Sequence, residues 1–84
     1  MRVIDLETGL RPEEEIKGDI PGTISALVGG RWKIQTTIRY EGKLCYVCTG
    51  VFAYRGPRNE VATQIVKQIC WGTIVLVEKG RELP

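Results

Sequence analysis

The chain is 84 residues long with a mass of 9.4 kDa, so a single small domain spanning residues 1–84 is expected. Its 43% hydrophobic and 26% charged residues exclude a disordered chain, and a net charge of +2 is too small to announce nucleic acid or an anionic membrane by itself. Histidine is absent, which removes the commonest general base and the usual nitrogen ligand of zinc.

No apolar run reaches the roughly eighteen residues of a membrane-spanning helix. The opening MRVIDLETG carries two acids where a signal peptide carries bases, so a soluble, cytoplasmic protein is expected. Three cysteines are an odd number and do not make a disulfide framework, so reduced thiols are expected. Residues 1–30 hold three basic and six acidic side chains, whereas residues 31–84 hold nine and four, giving −3 and +5. This asymmetry predicts a dipolar surface, with an acidic lobe around Glu13, Glu14, Glu15 and Asp19.

In chain order, Val3-Ile4-Asp5-Leu6 reads as a short strand closed by Thr8-Gly9. Pro12 and the three glutamates after it suit a first helical turn between Arg11 and Ile16, stopped by Gly18. Thr23–Val28 is an apolar run that fits a buried strand or a helical turn equally, and Gly29-Gly30 ends it. Arg31–Tyr40 alternates as a half-buried strand, and Lys43–Tyr54, rich in aromatic and β-branched residues, is a second strand joined to it by a hairpin at Glu41-Gly42.

A two-residue type I′ turn would force Glu41 to positive φ, whereas a glycine bulge asks this only of Gly42. The bulge is therefore expected, with Arg39 opposite Lys43. Trp32, Ile34 and Ile38 then share one aromatic core face with Leu44, Tyr46, Cys48, Phe52 and Tyr54. A slip of one residue would instead set Tyr46, Phe52 and Tyr54 beside Arg31, Lys33 and Arg39.

A helix follows Gly56-Pro57, with an apolar stripe of Val61, Ala62, Ile65, Val66 and Ile69 and a left-handed cap at Gly72. Ile74–Val77 reads as a central strand buried on both faces, and the charged tail Glu78–Pro84 is expected to fray. The expected fold is α+β, an antiparallel sheet of about four strands with one main amphipathic helix packed on one face.

Cys45 and Cys48 look like a metal or redox motif, but residues three apart on a strand point to opposite faces, so packing is the expected role and no metal site is expected. Ser25, Thr36 and Thr63 have no histidine to activate them, and no phosphate-cradling glycine pattern occurs. The chain is therefore expected not to be an enzyme and to use no cofactor. The cluster that stands out is basic. Arg31, Lys33, Arg39 and Lys43 could gather on a strand face, with Arg55 and Arg58 beside a helix N-terminus, as a partner-binding surface. The aromatic signature of RNA-binding sheet platforms is absent.

From Arg31 to Val77 the order is strand, Glu41-Gly42-Lys43 turn, strand, glycine-proline break, helix ending Trp71-Gly72, and strand. This layout resembles that of small bacteriophage anti-CRISPR proteins, especially type I inhibitors. The resemblance implies binding to a protein subunit of an interference complex in the host cytoplasm, blocking nucleic-acid loading or nuclease recruitment. The leading expectation is a non-enzymatic inhibitor or adaptor that occludes a protein partner; the alternative is a small nucleic-acid-binding module with a basic strand face. A chain this size buries only about 60–65% of its unfolded surface, so a homodimer is also compatible, with Cys45, Val47, Thr49, Val51 and Ala53 as a contact strip unless residues 1–30 cover it.

Overall fold

The structure, a computed structural model, describes residues 1–80; of the tail expected to fray from Glu78 on, Glu78 ends a strand and the Lys79 N–H donates to Leu44 O at 2.7 Å, while residues 81–84 lie outside the described residues. The fold is α+β. Its strands are β1 (Arg2–Asp5), β2 (Gly9–Leu10), β3 (Trp32–Tyr40), β4 (Lys43–Gly50) and β5 (Ile74–Glu78), in one antiparallel sheet ordered β2-β1-β5-β4-β3. The helices are α1 (Ile20–Val28) and α2 (Glu60–Val66). The sheet thus has five strands rather than four, because the turn after β1 returns the chain as β2.

Strand β5 is central, as its unbroken apolar run requires, and Ile74, Val75, Leu76 and Val77 are all buried. Alternation sends Ile74 and Leu76 into a core with Ile4, Cys45, Val47 and the α2 residues Ala62 and Val66. Val75 and Val77 point the other way, into a core with Cys48 and Ile24 of α1. One helix therefore covers each face, so the main helix α2 is joined by α1, formed from the run that fitted a strand or a helical turn equally. The strip through Cys45, Val47 and Thr49 is buried beneath α2 and is not a free dimer contact. Residues 1–30 do pack on the sheet: they add two strands to one edge and place α1 on the face carrying Trp32 and Tyr46.

The ambiguous run after Pro21 is helical because its ends are capped. The Asp19 carboxylate accepts from the Gly22 N–H at 3.1 Å, and Gly29, at φ 86°, closes the last turn with its N–H on Ser25 O. Residues 11–18 form no helix. Their chain instead pairs with the N-terminus, where the Met1 ammonium donates to Glu14 O and the Glu14 N–H to Met1 O. Helix α2 is shorter than its sequence pattern, capped at Lys67 in the left-handed region (φ 65°), so Ile69 falls outside it and stays exposed, and Val61, within it, is exposed as well. Gly72 is left-handed as expected but lies beyond the helix, where its N–H donates to Pro57 O.

The hairpin register differs from expectation in an instructive way. Tyr40 pairs with Lys43 across a two-residue turn in which Glu41 (φ 50°) and Gly42 (φ 78°) are both left-handed. The extra residue falls at Gln35 instead, between the pairs Ile34–Cys48 and Thr36–Val47. Below the bulge, Trp32 and Ile34 share a face with Cys48, as expected; above it, Ile38 and Tyr40 change sides and join Cys45 and Val47 over α2. The ion pair from Arg2 to Glu41 at 2.7 Å, and the Arg2 guanidinium 5.8 Å above the Tyr40 ring, hold the turn that carries Glu41.

Asp5 closes the β1–β2 turn. Its carboxylate accepts from the N–H groups of Glu7 and Thr8, from the Thr8 hydroxyl and from Arg11 Nε at 2.6 Å. The Thr8 N–H first, then the Arg11 guanidinium, hold its carboxyl far below the ordinary 3.8. A depressed carboxyl contributes stability that is fully present above its unfolded value and is lost as pH falls toward the folded one. Asp5→Asn is therefore expected to lower the urea midpoint at pH 7, with the gap from wild type narrowing below about pH 4. A gap that stays constant with pH contradicts this role.

Candidate functional site: a basic and aromatic tip

The sheet scaffold does not gather the six basic residues. Beyond Gly50 strand β4 loses its neighbours, since β3 begins at Trp32 and β5 at Ile74. One further bond, from the Val51 N–H to Arg31 O at 2.9 Å, ends the pairing, and the chain turns into a single 3-10 turn at Ala53–Arg55. Arg55 N–H donates to Phe52 O and Gly56 N–H to Ala53 O. Phe52 and Tyr54 leave the sheet with this turn and are 53% and 56% exposed, so neither belongs to the aromatic core face expected for them.

The turn stacks Arg55 on its own aromatics. Its guanidinium lies 4.6 Å from the Phe52 ring centre and 5.7 Å from that of Tyr54. Arg31 and Lys33, at the start of β3, are exposed at the same end of the molecule. Two hollows flank the Gly50–Ala53 ridge, each about 220 Å³. One is lined by Lys33, Gln35, Tyr54 and Trp71, the other by Arg31, Phe52 and Val28. Among the described residues, no carboxylate lies within ion-pair distance of Arg31, Lys33 or Arg55.

The other three basic residues lie elsewhere. Lys43 sits at the hairpin end of the sheet, 3.9 Å from Glu78. Arg39 is at the same end but on the opposite face, its guanidinium donating to Gly42 O at 3.4 Å. Arg58 does precede a helix N-terminus, yet its guanidinium is held by Glu60 at 3.0 Å. The hairpin end also holds Glu13, Glu41 and Glu78 around Arg2 and Lys43, so the cations there have acidic neighbours, whereas among the described residues those at the tip do not.

The thiols are packing groups. Cys45 and Cys48 lie in the two separate cores, and Cys70 is buried with the α2 core. Burial pushes the Cys48 thiol up to about 12 and raises Cys45 and Cys70 as well. Maleimide labelling at pH 8 is expected to be slow at all three sites until denaturant is added. Cys45, at 8% exposure against 0% for the others, reacts first. Rapid native labelling of Cys48 runs against this assignment.

Sequence reasoning placed Phe52 and Tyr54 in the core and passed over Trp71 as a site residue. A partial signal was present: Gly29-Gly30 precedes β3, and in the observed register Val51 already faces Arg31, so residues after Val51 have no partner on β3. Compared with known proteins, the chain matches no family model, no curated protein and no solved structure. No helix among the described residues is long and apolar enough to cross a membrane.

Proposed function

We propose that the protein is a non-enzymatic binding domain, an inhibitor or adaptor that occludes a surface of a nucleic-acid-processing complex through the tip formed by Arg31, Lys33 and Val51–Arg55. The observation that carries this reading is Arg55 stacked on two half-exposed rings, beside two further cations without carboxylate partners. Tyr and Arg are among the side chains that dominate contact energies, Phe is enriched at interfaces, and a guanidinium already held on rings loses little freedom on binding. Histidine is absent and all three thiols are buried, which leaves no activated nucleophile to argue from. The strand, strand, helix, strand order of residues 31–77, similar to that of small bacteriophage anti-CRISPR proteins, supports an interference complex in the host cytoplasm as the target.

Affinity capture from bacterial lysate, with and without nuclease, tests the reading. Wild type is expected to retain a defined complex, and a Phe52→Ala/Arg55→Ala variant to lose it while keeping its melting temperature. Equal capture by the variant, or turnover of a substrate by the purified protein, overturns it.

A further inference from the structure

We infer that the tip binds single-stranded nucleic acid, with one base against Tyr54 and Trp71, the next across the Gly50–Ala53 ridge against Phe52, and the phosphates met by Lys33, Arg31 and Arg55. This rests on the tip being the surface that meets the complex, and it assigns the tip the nucleic-acid strand of that complex as its ligand in place of a protein subunit.

The same chemistry is repeated on both sides of the ridge. Each of the two hollows beside the ridge combines an aromatic ring with a cation, Tyr54 and Trp71 with Lys33 on one side and Phe52 with Arg31 on the other. A nucleotide offers the matching pair, an apolar π-face and an anion, and a strand offers it repeatedly along its length. A duplex hides its base faces in the stack, so a ring-based site selects an unpaired strand. Gln35 adds a polar edge to the first hollow. Its amide nitrogen, Nε2, donates to Gln68 Oε1 and Ile69 O, which leaves Oε1 as an acceptor for a base edge. The exposed aliphatic residues Leu6, Leu44 and Val61 lie away from the tip, whereas Ile34 and Ile69 adjoin Gln35 at the border of the first hollow; the hollows themselves present rings and positive charge.

The test is fluorescence anisotropy with a fluorescein-labelled oligothymidylate, the matching oligouridylate and a duplex of equal length. Saturable binding to a single strand is expected, at least about tenfold tighter than to the duplex. Three phosphate contacts predict a log–log salt slope near −2, which is a loss of roughly 20-fold between about 50 and 200 mM salt. Phe52→Ala and Tyr54→Ala are each expected to weaken binding about tenfold or more with the slope unchanged. Lys33→Gln is expected to flatten the slope by about 0.7. Both ring positions are solvent-exposed, so the variants keep the wild-type melting temperature.

Absence of saturable binding to either strand at low salt overturns the inference. So does equal affinity for duplex, or indifference to loss of the rings, since either outcome reduces the contact to charge alone. If neither strand binds while nuclease-resistant capture of a complex still depends on Phe52 and Arg55, the tip belongs to a protein partner: the ligand class assigned here fails and the proposed function stands. If capture is also independent of the tip, both fail.

Discussion

Replacing Asn59 by Ala is expected to lower the unfolding free energy by about 3–5 kcal/mol, the sum of orphaned buried groups and a lost helix cap. Asn59 is 2% exposed, and its side chain ties three elements together. Nδ2 donates to Ile4 O of β1 at 2.9 Å and to Gly72 O before β5 at 2.8 Å, while Oδ1 accepts from the Ala62 N–H of α2 at 3.0 Å. An alanine leaves two carbonyls and one N–H without partners in a dry site. For a domain whose total stability is on the order of 5–15 kcal/mol, that loss endangers folding, so Asn59→Ser, which keeps the cap alone, serves as the milder variant. Asn59→Asp separates the roles. It retains the cap acceptor but turns a carboxylate oxygen toward two carbonyls, which raises its pKa in the folded state. Its stability is therefore expected to improve as pH falls and the carboxyl gains a proton to donate. Urea midpoints at pH 7 and pH 4 check both statements, and a loss under about 1 kcal/mol for the alanine variant removes Asn59 from this role.

Ile24→Ala is expected to cost about 2–5 kcal/mol, the range for truncating a fully buried isoleucine. Ile24 is the one fully buried side chain of α1, and it packs on Cys48, Val75 and Val77. The helix has nine residues, too few to persist without docking, so its place over the sheet depends on this contact. Hydrogen exchange should show protection lost first in α1, with the β4–β5 ladder retained. The control is Val61→Ala on α2, where 42% exposure predicts a change within about 0.5 kcal/mol. Similar losses at the two positions contradict the assignment of Ile24 as the anchor of that face.

Much of the fold was legible because periodicity and punctuation act locally. The strand from Trp32 to Tyr40, the turn at Glu41-Gly42 and the doubly buried run Ile74–Val77 all appear where the residues put them, although the bulge at Gln35 breaks the strand's alternation and sends Ile38 and Tyr40 to the other face. The α2 start was legible in outline from Pro57 and Glu60, although Asn59, not proline, forms the cap. The site was legible in half. Arg31, Lys33 and Arg55 are at the tip, whereas Arg39, Lys43 and Arg58 are drawn off to the hairpin end or to Glu60. The rings that complete the tip look like core residues by type, and only the loss of partner strands beyond Val51 exposes them.

The sequence alone determined the α+β class, the central place of β5 and the separation of Cys45 from Cys48, because each follows from strand alternation and the length of an apolar run. Tertiary structure decided where the hairpin's extra residue sits. A glycine bulge at the turn was locally cheaper, but Arg2 reaches Glu41 from the far strand β1, and the bulge at Gln35 lets Ile38 and Tyr40 join the α2 core while Trp32 stays with α1. Long-range burial of apolar side chains on two faces outweighed about 1–2 kcal/mol of left-handed strain at one glutamate.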